Sequence, residues 1–304
     1  MARRKPATVH GLVVVDKPAG MTSHDVVGVV RRQLAERRVG HAVTLDPDAT
    51  GVLLVGVGAA TRLLRFLTAL GKTYTAEVVL GVETSTLDDS GEVTARHDMS
   101  GVTIEQVRSV VSSNLTGPIL QVPPMVSAVK VGGRRLHELA REGIEIERLP
   151  RPVTVHRFDV EPTADPLVVR IEVVCSSGTY IRTLAADLGA LLGGGAHLRR
   201  LRRTASGSFD ESVAIPLEQV GRDSLMTPAQ ALRDYPSVEV DDQTVDRVRH
   251  GSVLPAWDGP GPWAVHSASG DLLAVYERVD EVSVKPAVVL VTDEPSQGRE
   301  SAGA

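Results

Sequence analysis

Short runs of valine, leucine and isoleucine follow one another along the first 234 residues, some with a period of two and some with a helical period. They lack the regular strand–helix–strand alternation of a parallel sheet. A strand is predicted over Gly11 to Val15, running into the turn signal Asp16-Lys17-Pro18-Ala19-Gly20. Ser23 is placed to cap a helix whose apolar positions are Val26, Val27, Val30 and Leu34. A loop punctuated by Gly, Asp and Pro leads from Gly40 to Gly51, and an apolar strand follows from Val52 to Val57. Leu63, Leu64, Leu67 and Leu70 mark a helix stopped by Gly71, and Thr73 to Leu80 alternates imperfectly, as in a half-buried strand. Thr103 and Gln106 make a capping box for a helix reaching about Leu115. A short helix is expected from Arg134 to Arg141, then strands at Val153 to Val160 and Leu167 to Cys175, then a helix from Tyr180 to Leu192. The mixed order predicts an α+β fold.

After Tyr235-Pro236 the character changes. Helical periodicity fades near His250, and strand-like runs at Trp263 to His266, Leu272 to Glu277 and Ala287 to Val291 are separated by Gly/Asp turns. The expected organisation is a basic tail over 1–10, a large domain over 11–234, a small mostly-β domain over 235–291 and a frayed tail over 292–304. Aromatics make up only 3% of the chain, so Val, Leu, Ala and Ile must build the interior and each tyrosine invites scrutiny. The single cysteine, Cys175, excludes an internal disulfide and a Cys-rich zinc site, which points to a reducing, cytoplasmic setting. No apolar run approaches the roughly 20 residues of a membrane span.

The net charge of −5 is unevenly spread. From Tyr235 to Val291 there are 4 Lys/Arg against 9 Asp/Glu, whereas residues 1–234 carry 28 against 26. Arg199, Arg200, Arg202 and Arg203 fall within five residues of one another. Taken alone, such a cluster is most simply a solvated helix face.

The segment Val39-Gly40-His41-Ala42-Val43-Thr44-Leu45-Asp46-Pro47-Asp48-Ala49-Thr50-Gly51 is the most informative. Proline keeps the preceding Asp46 out of the helical region, and glycines on both sides let the loop project a carboxylate. By itself this is an Asp-Pro turn. It acquires meaning from its neighbours in order: Asp16 to Ser23, Lys72-Thr73-Tyr74, Pro123 to Lys130 with Gly133-Arg134-Arg135-Leu136 and Ala140 to Gly143, Ser177 to Leu184, and Ala196 to Thr204. This series resembles the bacterial tRNA pseudouridine synthase B family over about residues 11–209.

The resemblance implies a pseudouridine synthase catalytic domain with a mixed or antiparallel sheet and a small PUA-like C-terminal domain. It implies isomerisation of uridine to pseudouridine in the T loop of tRNA, conventionally at position 55, by base flipping and attack of Asp46. Arg182 would pair with Asp46 and keep it ionised, its fork able to hold a carboxylate bidentately. Tyr74 would stack on the base near the C5 proton; Tyr180 and Leu201 would line the uracil pocket; His41 would fill the space the flipped base leaves. Arg134, Arg135, Arg199, Arg200, Arg202 and Arg203 would hold phosphates of the T arm. Lys17 and Pro18 look structural. No cofactor or metal is expected, and the sequence carries no phosphate-cradling glycine loop, dinucleotide fingerprint or His/Cys cluster. The expected partner is tRNA, with no membrane, and the chain is expected to act as a monomer.

Two positions depart from the family pattern: Val43 stands where a glycine is usual, and Asp48 where an apolar residue is usual. A β-branched residue resists positive φ, and a second carboxylate near Asp46 would raise its pKa if the two approach. Two other readings of the same resemblance are a relative acting on ribosomal RNA with a guide RNA, and a non-catalytic RNA-binding or chaperone protein. The first usually has lysine-rich tails that this sequence lacks; the second has no need of Asp46, Tyr74 and Arg182 together.

Overall fold

The computed structural model describes residues 7–127, 130–144 and 146–290. Most of the expected basic tail and the whole tail 292–304 lie outside the described residues.

The fold is α+β. Its main element is a ten-stranded mixed sheet. The principal order is Ile215–Pro216, Gly11–Lys17, Thr50–Val57, Ala196–Ser206, Lys72–Leu80, Val168–Cys175, Arg151–Pro162, Gly117–Gln121. Two contacts along this path are parallel, Gly11–Lys17 with Ile215–Pro216 and Thr50–Val57 with Ala196–Ser206; the others are antiparallel.

Alternation explains which face each strand buries. Val13, Val15, Leu53, Val55 and Val57 face the helix Ser23–Gln33 through Val26, Val27 and Val30. Leu12, Val14, Val52 and Leu54 face the opposite way, onto Leu63, Phe66 and Leu67. On the other half of the sheet, Ala76, Val78, Leu80, Ile171 and Val173 pack against Val107 and Val111 of Ile104–Asn114 and Leu184 and Leu188 of Ile181–Leu191. Each fully buried Val or Leu contributes about 1.5–3 kcal/mol, so aliphatic residues alone can hold this sheet.

A five-stranded sheet follows, in the order Ser237–Val240, Trp263–Ser267, Leu272–Arg278, Ser283–Val289, Leu254–Pro255. It concentrates the scarce aromatics: Trp257 meets Trp263 and Tyr276 edge-on at 5.8 and 5.5 Å. Leu272, Val275, Val288 and Leu290 join the cluster built by Leu12, Leu54 and Phe66, so the β module is seated against the large sheet. Polar contacts reinforce the seat, with Tyr235 Oη donating to the Phe66 carbonyl at 2.8 Å and Arg65 paired with Glu277.

Four local expectations need correction. Thr22, not Ser23, caps the first helix: its hydroxyl accepts from Asp25 N–H while Asp25 accepts from Thr22 N–H. Both residues can cap, but only Thr22 has an acidic partner three residues on. The arginine cluster lies on the strand Ala196–Ser206, not on a helix. Arg134–Arg135 form a strand before the helix Leu136–Arg141. The last strand is Ser283–Val289, beginning before Ala287, because a register irregularity opposite Tyr276 accommodates Pro286.

Gly51, at φ +100, sits where a Cβ would lie 2.2 Å from the Arg203 carbonyl oxygen. Gly51→Ala therefore combines backbone strain with a backbone clash and is expected to cost at least about 2 kcal/mol. Urea unfolding checks this, and an unchanged midpoint would refute it.

Candidate active site

Leu45 is 3% exposed and sinks into the core, so the next residue, Asp46, is turned outward. The backbone here is held by side chains from distant elements. Ser23, freed from capping, accepts from Leu45 N–H at 2.8 Å and donates to the Leu45 carbonyl at 3.2 Å. Lys17, fully buried, donates to the carbonyls of Pro18, Met21 and Pro47 at 2.8, 2.6 and 2.8 Å. Burial lowers its pKa to about 8, against the attraction of Asp48 and Asp46. Arg203 Nη2 donates to the Val43 carbonyl at 3.1 Å.

Arg182, the second residue of the helix Ile181–Leu191, is 5% exposed. Its Nε lies 3.0 Å from Asp46 Oδ2 and its Nη1 3.5 Å from Asp88 Oδ2. Nη1 also donates to the Thr86 carbonyl at 3.0 Å and Nη2 to the Val126 carbonyl at 2.9 Å. The expected bidentate clasp is thus replaced by a single contact, because the rest of the guanidinium is engaged elsewhere. Burial raises the Asp46 pKa; Arg182 opposes this, and Asp88 adds to it. The like charge acting on Asp46 is Asp88 and not Asp48, whose exposed carboxylate acts on Lys17. Val43 needs no glycine-like freedom: the non-glycine residues with positive φ are Ala35, Leu87 and Arg200 among those described.

Asp46 and Arg182 line a cavity of about 320 Å³ with Tyr74, Tyr180, Leu201, Lys72 and Thr179. Tyr74 is 8% exposed, on the buried face of Lys72–Leu80. Tyr180 is held by its backbone, its N–H donating to Gln121 Oε1 at 2.9 Å and its carbonyl accepting from Gln121 Nε2 at 3.0 Å. His41 stands at the loop entrance with Nε2 3.1 Å from Thr44 Oγ1. Asp88 and Gln121 were missed in the sequence. The run Thr86-Leu87-Asp88-Asp89-Ser90-Gly91 could have flagged Asp88 only as a turn.

The six arginines expected on phosphates divide. Arg200 is exposed and shares Glu77 with Arg199, at 3.0 and 2.7 Å. Arg202 engages Asp16 through two bonds of 3.0 Å and also Glu211. Arg134 is exposed and paired with Glu142. Of Arg135 only the backbone is described, and its side chain lies outside the described residues. Arg203 is a correction: at 1% exposure it is sealed inside the sheet and cannot reach a phosphate.

Three family models match the chain. The TruB family pseudouridylate synthase N-terminal domain covers residues 31–181, the tRNA pseudouridylate synthase B C-terminal domain 182–235, and the tRNA pseudouridine synthase II C-terminal model 235–291. A tRNA pseudouridine synthase B of Symbiobacterium thermophilum is 51% identical, over 82% of this chain and 84% of the relative. Another, of Rhodococcus jostii, is 48% identical over 91% of this chain and 94% of its own. Among solved structures, a chain in a Cbf5-Nop10-Gar1 complex superposes with TM-score 0.73 at 27% identity, covering 92% of this chain and 85% of that one. Models spanning 31–291 and relatives of this similarity have one meaning: the chain belongs to the TruB family of pseudouridylate synthases.

Proposed function

We propose that this enzyme isomerises uridine to pseudouridine in tRNA, at T-loop position 55, with Asp46 as nucleophile. The carrying observation is a partly exposed carboxylate 3.0 Å from a buried, permanently charged arginine, at the wall of a cavity that also holds Tyr74. A carboxylate nucleophile must be ionised and close to its target, and Arg182 offsets the burial that favours its protonation. In the simplest balanced course, Asp46 attacks C1′ and N1 leaves with the bonding electron pair. The uracil rotates, C5 attacks C1′, the carboxylate departs, and one proton passes from C5 to N1. The reaction is redox-neutral and transfers nothing to a second molecule, so its chemistry calls for no cofactor.

Tyr74 stacks on the base, Tyr180 and Leu201 flank it, and His41 occupies the space it vacates. Extruding a nucleotide costs a few kcal/mol, which these contacts offset. The exposed Arg200 and Arg134, with the half-buried Arg199 and Arg202, hold phosphates of the T arm as each leaves its carboxylate. The domain over 11–234 is catalytic and the module over 235–291 binds RNA by shape rather than by charge. The enzyme works as a cytoplasmic monomer and needs no guide RNA. Among the described residues no helix is long and apolar enough to cross a membrane.

Purified protein alone should convert the T-loop uridine of an unmodified tRNA transcript. Asp46→Asn should lower turnover by about a thousandfold or more while tRNA binding stays nearly intact. Pseudouridine formed by the variant at the native rate would sink the reading. The pH profile follows from the direction of the Asp46 shift. A carboxyl group with a raised pKa loses its nucleophilic form as pH falls through that raised value. The acid limb of kcat/KM should therefore lie above the titration range of an ordinary aspartate, and a limb at or below that range contradicts the assignment. Arg200→Gln should weaken tRNA binding, flatten its dependence on salt and spare single-turnover chemistry at saturation; an unchanged salt slope removes Arg200 from the docking surface.

A further inference from the structure

Arg203 owes its place to an irregularity in its strand. The register of Ala196–Ser206 against Lys72–Leu80 breaks between Arg199↔Glu77 and Arg202↔Thr75, and Arg200 takes φ 53. Beyond the break Arg203 lies directly opposite Tyr74. Opposed residues of an antiparallel pair project from the same face with Cβ atoms roughly 5 Å apart. Two edges of the guanidinium are fixed: Nε donates to the Val52 carbonyl at 2.7 Å and Nη2 to the Val43 carbonyl at 3.1 Å. Nη1 is buried without a hydrogen-bond partner. A buried donor left open is costly, so a purely structural arginine would be expected to close it. Burial holds the Tyr74 hydroxyl above its ordinary pKa, while the nearby Arg203 charge opposes this.

We propose that Arg203 is a positioning residue for the proton step, its anchored guanidinium steadying the Tyr74 oxygen while that oxygen lacks its proton. The inference rests on the uridine isomerase reading above. After N1 leaves C1′, the Tyr74 hydroxyl gives its proton to N1 and becomes a phenolate beside Arg203. Once C5 has bonded to C1′ and the carboxylate has departed, the phenolate takes the proton from C5. Tyr74 ends as it began, and one proton has moved from C5 to N1. Arg203 touches neither the base nor Asp46 in this course; it acts through Tyr74.

The test is single-turnover kinetics with full-length enzyme and tRNA carrying hydrogen or deuterium at C5 of its uridines. Arg203→Met should slow turnover by about 100-fold, the scale of one acid–base contribution, with tRNA affinity and circular dichroism unchanged. The C5 isotope effect should grow in this variant, since a smaller equilibrium population of phenolate slows proton removal from C5 relative to the steps before it, and Arg203→Lys, which retains charge, should recover part of both. On a Tyr74→Phe background, Arg203→Met should cost little more. If Arg203→Met misfolds, the isotope effect of Arg203→Lys decides alone: a value above the native one supports the proposal and an unchanged one overturns it. A slow variant with the native isotope effect, or a full additional loss on the Tyr74→Phe background, reduces Arg203 to a prop for Val43 and Val52 and overturns the inference alone. Native enzyme that makes no pseudouridine overturns the functional reading together with it.

Discussion

One guanidinium holds the centre of this molecule together. Arg182 is nearly sealed from solvent, and unlike a lysine it does not shed its charge when buried. Asp46 and Asp88 come from different loops and repel each other; the Arg182 guanidinium lies between them and contacts both. The carbonyls of Thr86 and Val126 take the remaining donors, so three loops are tied to the first turn of one helix. The single contact to Asp46 has a chemical consequence. A bidentate clasp would engage both carboxylate oxygens, whereas a contact through Oδ2 leaves Oδ1 outside the clasp, as the proposed attack on C1′ requires. Arg182 thereby offsets part of the burial of Asp46 without occupying both of its oxygens.

Charge alone would not hold the carboxylate in place, and the loop beneath it is fastened residue by residue. Arg203 holds Val43, Ser23 holds Leu45 at both its N–H and its carbonyl, and Lys17 holds Pro47. These side chains come from the strand Ala196–Ser206, the helix Ser23–Gln33 and the strand Gly11–Lys17. Hydrogen bonds to charged donors are worth about 1.5–3 kcal/mol each, enough to fix a loop that has few regular backbone bonds of its own. Burying Lys17 is costly, as its lowered pKa of about 8 shows, and three carbonyl partners offset that cost. A surface hairpin could carry the same Asp-Pro sequence; only this support makes it rigid.

The difference between what the sequence disclosed and what it hid follows from the same contrast. Periodicity and capping chemistry located most of the elements, and Thr103 with Gln106 starts its helix as expected. Asp46, Tyr74, Tyr180, Arg182 and Leu201 were legible because motif order carried them, and the fold gathers all five around one cavity. Asp88 was not legible, because an Asp-Asp-Ser-Gly run reads equally well as a plain turn. Ser23 was miscast because serine and threonine cap helices alike, and its contact with Leu45 spans 22 residues of chain. Arg203 was misplaced for a geometric reason. In a strand, neighbours face opposite sides, and the irregularity at Arg200 resets which side each arginine takes. Four adjacent arginines look equivalent as letters; one of them is interior.

That redistribution changes how RNA must be met. With Arg203 inside, this central strand offers the exposed Arg200 and the half-buried Arg199, both drawn to Glu77, and the half-buried Arg202, drawn to Asp16 and Glu211. A phosphate arriving here competes with carboxylates already in place, so the gain per contact is a difference between two ion pairs and smaller than a bare arginine would give. The β module adds no compensating positive field, with 4 basic against 9 acidic residues. Under the proposed function, charge then contributes little and selection passes to geometry, to whether an RNA can present a loop whose extruded pyrimidine reaches Tyr74 and Asp46 in their cavity. On that reading discrimination lies in whether a nucleotide can enter the cavity, where Arg182 has already fixed the Asp46 carboxylate.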